Sequence, residues 1–312
     1  MTFSVILFVV LAAAYGLLST LLSLAVAAAW RLGLERLQAS ANELLAVRLI
    51  PAGGAALLTL AVVLPAFLVS EPAQESEAGG PLLVALASIA LLSVGIGLGR
   101  AWRASWAARA FLRACGPLTR QSYVTGRRVE VVDVAEPVVA VVGGLRARIV
   151  ASSCVISACS NEEFRQVVAH ESAHLSTHDN LKLVLLLLSP DALAWLPAGA
   201  ALKIRWRAAA EREADENATG PDVHKRLALA SALIKVARLQ ASTSPPITAF
   251  SIAVAVDGVE GRVRGLLAPS LPARRSICLW GLAASALLGL VVGIPLYGVI
   301  HQCIETLVAF GR

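Results

Sequence analysis

Long uncharged runs dominate the hydropathy pattern of this chain. Thr2–Trp30, Leu49–Ser70, Pro81–Gly99 and Ser276–Ile300 contain no Asp, Glu, Lys or Arg. A helix rises ~1.5 Å per residue, so about 20 apolar residues cross the ~30 Å hydrocarbon core of a bilayer. The runs therefore predict four transmembrane helices, at about 2–30, 49–70, 81–99 and 276–300. The first is longer than the roughly 7–15-residue core of a signal peptide and lacks a basic segment before it, so it reads as a retained span. Pro51 falls near the start of the second run, where proline is tolerated, and Pro65 near its end predicts a kink. Arg31–Arg48 reads as a short amphipathic helix on the membrane surface. Residues 181–202 are apolar but broken by Lys182, Pro190, Asp191 and Pro197. That predicts a hairpin dipping into the membrane or lying on it, not a crossing.

The period changes between the third and fourth runs. Val129–Val150 holds β-branched stretches separated by Pro137 and Gly143-Gly144, which predict two or three short strands and a turn. Ser160-Asn161-Glu162-Glu163 is a capping box, so a helix starts there. Arg205–Ala218 and Pro221–Ala241 read as further helices, and Ser242–Ala268 is mixed, with Pro245-Pro246 and Gly258, Gly261 and Gly265. The expected fold is a mainly α membrane protein. Three transmembrane helices fill 1–100, an α+β domain with a small β-sheet fills 101–275, and 276–312 holds the fourth helix and a short tail.

Composition agrees with lipid as solvent. Only 15% of residues are charged, 57% are hydrophobic and mean hydropathy is +0.72, whereas soluble domains carry about 25% charged residues. The net charge is +6. Arg100–Arg128 contributes seven arginines and no acid, and by the positive-inside rule it faces the cytoplasm. The domain at 101–275 is then cytoplasmic, the acidic loop Glu71–Gly80 lies outside, and both termini are extracytoplasmic. No nucleic-acid-binding pattern accompanies the charge. Five cysteines without a C-x-x-C argue against a disulfide framework or a thiolate zinc site.

Chemistry concentrates in Val167–Asn180, V-V-A-H-E-S-A-H-L-S-T-H-D-N. His170 and His174 stand four apart, one above the other on a helix of ~3.6 residues per turn, so both imidazoles can reach one Zn²⁺. Glu171 projects from the same turn, where it can take a proton from an activated water. Glu211-Arg212-Glu213-Ala214-Asp215 offers a third ligand, Glu211 or Glu213. Asp215, one turn beyond Glu211, can accept the outer N–H of a ligand histidine. Peptide hydrolysis also needs an oxyanion stabiliser, for which Arg212 and His224 are candidates. His178 continues the histidine stripe and is a candidate fourth ligand that would make the site structural, or a solvated side chain.

The set H-E-S-A-H-L-S-T-H-D-N, a Pro- and Trp-containing hydrophobic link, then E-R-E-A-D resembles the BlaR/MecR type of membrane zinc peptidase. The related HtpX-type proteases share the H-E-x-x-H and E-x-x-A-D parts. The resemblance implies one Zn²⁺ per chain on His170, His174 and Glu211, with Glu171 as base, Asp215 in support, and a cytoplasmic protease domain between spans three and four. Asp179-Asn180 follows the same pattern and is expected to organise the helix end near the site. Two departures stand out. No penicillin-binding domain follows the last span, so β-lactam sensing is not expected, and His178 replaces a basic residue. The expected function is an integral membrane zinc metalloendopeptidase acting on a polypeptide such as a repressor or membrane protein. The alternative is a catalytically inactive membrane signalling or scaffold protein retaining a structural zinc site.

Overall fold

The computed structural model describes residues 3–36, 39–70, 80–115, 120–144, 146–242 and 256–268. The expected fourth span at 276–300 and most of the acidic loop lie outside the described residues. The chain is mostly helical, with a small mixed sheet, and contacts divide it into two units.

The first unit gathers Met1–Gly99 with Leu188–Ile204. Helix α1 is Phe3–Leu32, α2 is Ala41–Leu58, α3 is Leu64–Ser70 and α4 is Pro81–Ala114. Three stretches, Phe3–Leu32, Ala41–Leu68 and Pro81–Ala114, are long and apolar enough to cross a membrane. Phe8, Leu21, Leu24, Leu60, Ile89 and Leu92 stand exposed on them, as lipid-facing side chains would. Inward, Ile6, Val10 and Ala13 pack against Val63, Phe67, Leu83 and Ala87. At Gly16 a Cβ would lie 2.9 Å from the Ala90 Cβ, so the missing side chain lets α1 and α4 approach.

Three expectations change here. Arg31–Arg48 is not one surface helix: α1 runs to Leu32, and α2 begins after a capping box of Ser40 and Glu43. That places Arg48 inside the unit, 4% exposed, with its guanidinium on both oxygens of buried Asp191 at 2.8 and 3.1 Å. Pro51 is consequently interior to α2. Pro65 has no N–H, and its ring crowds the carbonyl four residues back. The chain forms a π turn over Thr59–Val63 before α3. Finally, α4 does not stop at Gly99 but carries the arginine-rich stretch to Ala114.

The second unit gathers Arg100–Leu187 with Arg205–Arg274. Its sheet has the order β1-β2-β4-β3, with β1 Arg120–Val124, β2 Arg127–Val132, β3 Val139–Val142 and β4 Arg148–Ser152. β1 and β2 form a hairpin across Thr125-Gly126, both at positive φ, as a tight hairpin turn requires. β2 and β4 run parallel and β3 pairs antiparallel to β4, leaving β3 at the edge. The sequence pattern hides β1 because its residues are mostly polar.

Helix α5 is Ser153–Ala158 and α6 is Asn161–Thr177, opened by the Ser160–Glu163 capping box. One face of α6, Phe164 and Val168, packs on Val129, Ile149 and Ala151 of the sheet. An adjoining face presents Val167 to Leu229 and Ala230 of α9, Val223–Ser242, and to Leu266 of α10, Val256–Leu267. His178, in the left-handed region at φ 56°, ends α6, and α7 follows as Asp179–Leu188. Across 181–202, α7 ends at Leu188, a short 3₁₀ turn spans Ala192–Ala194, and α8 runs Pro197–Thr219.

Candidate metal centre

The geometry of α6 follows from its cap and its two packed faces. With Phe164 and Val168 held on the sheet and Val167 on α9, His170, Glu171 and His174 are turned toward α8 and the β3 edge. They line a cavity of about 150 Å³ together with Val139, Val141, Asn180, Glu211 and Arg262.

Ligand atoms of His170, His174 and Glu211 all lie within 4.8 Å of one another. The two Nε2 atoms are 3.1 Å apart, and Glu211 oxygens sit 3.5 Å from His170 Nε2 and 3.8 Å from His174 Nε2. A tetrahedral ion with bonds of ~2.0–2.1 Å separates its ligand atoms by about 3.4 Å. The three side chains therefore stand near the corners such an ion needs. Glu211 Oε2 is buried and has the Arg262 guanidinium at 2.9 Å, so the fit to an ion rests on the spacing and chemistry of the three donors. The donor set fits a metal ion.

Both outer ring nitrogens are held. His170 Nδ1 meets Asp215 Oδ1 at 2.9 Å, and His174 Nδ1 meets Asp179 Oδ2 at 2.8 Å, while Lys182 Nζ reaches the other Asp179 oxygen at 3.2 Å. Carboxylate partners on Nδ1 leave Nε2 as the ligand atom and raise its basicity. Without a metal, burial works to lower the His174 imidazole, but Asp179 and Glu211 outweigh it and push it up to about 10. Burial likewise opposes ionisation of Glu211, yet His170, His174 and Arg262 hold it well below the usual carboxylate range. At Glu171 burial prevails and pushes the carboxyl up, against the pull of both histidines. Its Oε2 accepts from the Val141 N–H at 3.0 Å, which fixes the side chain at the β3 edge. Asn180 Nδ2 braces the same strand through Val141 and Gly143 carbonyls, both at 2.8 Å.

Of the sequence-predicted residues, His170, Glu171, His174, Glu211, Asp215 and Asp179 come together. Glu213 does not join the cluster; it faces a small pocket with Thr177 and Asn217. Neither Arg212 nor His224 lines the cavity, and His224 is exposed near the start of α9. His178 is exposed at the end of α6, outside the three-ligand group. The arginines that do line the cavity are Arg207 and Arg262. Arg262 carries no motif signal. The available clue was the spacing of Val259, Val263 and Leu266, the apolar face of a helix that could bring an arginine to the site.

Comparison with known protein families, with characterised proteins and with solved structures finds no match. The fold and site define a class: a mostly helical protein with, among the described residues, three helices fit to cross a membrane and a His/His/Glu cluster able to hold a metal ion.

Proposed function

We propose that the chain is an integral membrane zinc metallopeptidase. The observation that carries this reading is the approach of His170, His174 and Glu211 to ion-binding distances beside Glu171. Two imidazoles and one carboxylate with an open fourth position are the donor set of catalytic zinc sites. Bound there, zinc would supply Lewis-acid polarisation of a carbonyl and acidify water.

The chain's own residues do the rest. Glu171 accepts the proton of the attacking water and returns it to the leaving amine. Its raised pKa suits a group that must both take and give a proton. Asp215 and Asp179 keep the imidazoles oriented. The apolar walls, among them Val139, Val167 and Leu233, reduce competing water. A polypeptide is the substrate this reading takes: β3 is an edge strand, and because Glu171 and Asn180 already hold Val141, an extended segment would pair with the edge beyond that residue. The resemblance of the motif set to the BlaR/MecR and HtpX types supports the same reading. The arginine-rich stretch supports a cytoplasmic site, by the positive-inside rule.

The test is Glu171→Gln in full-length protein with zinc content measured. Zinc stays at one per chain, while cleavage of a peptide library falls by about 10²–10⁴-fold, the usual contribution of a general base. Undiminished cleavage by the zinc-loaded variant would sink the mechanism. Stoichiometric zinc with no turnover in the wild type would favour the non-catalytic alternative.

A further inference from the structure

We propose that α10 belongs to the metal centre, with Arg262 as the residue that positions Glu211 and Asp215. This inference rests on reading the His/His/Glu cluster as a metal site.

The argument begins on α8. Glu211 and Asp215 are one turn apart on the same face, and both are largely buried, at 17% and 7% side-chain exposure. Two like charges at that spacing repel each other. Left alone, one would turn away or take up a proton, and His170 would lose either its ligand neighbour or its anchor. A single guanidinium prevents this. Arg262 Nε donates to Asp215 Oδ2 at 3.0 Å and Nη2 to Asp215 Oδ1 at 2.6 Å, a two-pronged grip. Nη1 meets Glu211 Oε2 at 2.9 Å. Asp215 Oδ1 at the same time receives His170 Nδ1 at 2.9 Å. The planar fork of arginine can hold two carboxylates in fixed relative positions; the single ammonium of lysine cannot.

Charge points the same way. Four carboxylates surround the site: Asp179, Glu171, Glu211 and Asp215. Lys182, Arg207 and Arg262 are the cations beside them, and Arg262 is the one that touches both Glu211 and Asp215. Because Asp215 and Glu211 already engage Arg262, it acts through them and is a positioning residue, not a catalytic one.

The dependence extends to the whole helix. α10 is V-D-G-V-E-G-R-V-R-G-L-L, with three glycines in twelve residues. Each glycine costs about 1 kcal/mol relative to alanine, and so short a helix is marginal alone. It is held by Val263 and Leu266 on the α9 face and by Arg226, whose Nη2 binds the Gly265 carbonyl at 2.9 Å and also that of Ala268. The metal centre is therefore completed by a weak helix held in place by its docking.

The test uses the full-length chain in detergent and titrates Co²⁺, read by its visible absorption instead of by activity. Arg262→Gln binds about 10–100-fold more weakly than wild type, the usual effect of removing a partner of the ligands. Arg262→Lys keeps the charge but not the fork and binds at least about tenfold more weakly. Hydrogen–deuterium exchange across 256–268 shows whether α10 stays docked. If Arg262→Gln releases the helix, Arg262→Lys decides: weaker binding with wild-type exchange supports positioning. Wild-type affinity in the lysine variant overturns it, as does equal or tighter binding by the glutamine variant, the result expected of a mere repelling charge. Failure of the wild type to bind Co²⁺ defeats the metal-centre reading itself, and this inference with it.

Discussion

Glu163 ties the start of α6, the helix of His170 and His174, to α9, and removing its charge gives a measurable stability change. The carboxylate receives the Ser160 N–H at 2.6 Å, the Ser231 hydroxyl at 2.6 Å and Lys235 Nζ at 2.7 Å. Burial works against its ionisation, but Lys235, Ser231 and Ser160 outweigh that and hold its pKa at about 2, down from 4.5. At ~1.36 kcal/mol per unit the shift sets an upper bound of about 3.4 kcal/mol. Lys235 is 41% exposed, so solvent screening reduces this to about 1–2 kcal/mol. The folded pKa is depressed, so the contribution is complete above about pH 4.5 and is lost as pH falls toward 2. Glu163→Gln keeps the shape and an acceptor for Ser160 but removes the charge. Urea unfolding in detergent, followed by far-UV circular dichroism, should show the variant about 1–2 kcal/mol less stable at pH 7. The difference should shrink below pH 4 and nearly vanish near pH 2. Equal stability at pH 7, or a gap that persists unchanged at pH 3, refutes the reasoning.

Asp191→Ala leaves Arg48 charged and buried with no carboxylate, which costs about 3–5 kcal/mol. Replacing both residues by apolar ones of similar size should recover most of that in a detergent thermal melt. His178→Gly removes left-handed strain at φ 56° and should raise stability by about 0.5–1 kcal/mol. Metal content should be unchanged, and loss of metal would restore His178 as a ligand.

What was legible in the sequence was whatever depends on local pattern. The uncharged runs 2–30, 49–70 and 81–99 each lie largely within a helix long and apolar enough to span, because lipid rewards length and apolarity alone. The Ser160 cap and the histidine spacing are one-dimensional consequences of helix geometry, and the helix bears them out. Glu211 and Asp215 were legible for the same reason, being four apart on one helix. Boundaries were harder. The Ser40–Glu43 capping box that starts α2 is masked by the charges of 31–48, which together read as one polar surface helix, and so is the burial of Arg48. The polar strand β1 belongs to the sheet through its partner β2, which no property of Arg120–Val124 reveals.

The least legible part of the site is also the most long-range. The expected oxyanion stabilisers, Arg212 and His224, both follow the histidine motif along the chain, and neither lines the cavity. Arg212 is next to Glu211 in sequence, yet adjacent residues on a helix diverge by about 100°, so its side chain leaves the cavity that Glu211 enters. Arg262 lies 92 residues from His170 and reaches it only because α10 docks on α9. Two separate packing events, α9 on α6 and α10 on α9, bring that guanidinium to Asp215. Spacing rules resolve what one helix does. They do not resolve which arginine a third helix delivers, and at this centre the cation beside the ligands is supplied in that way.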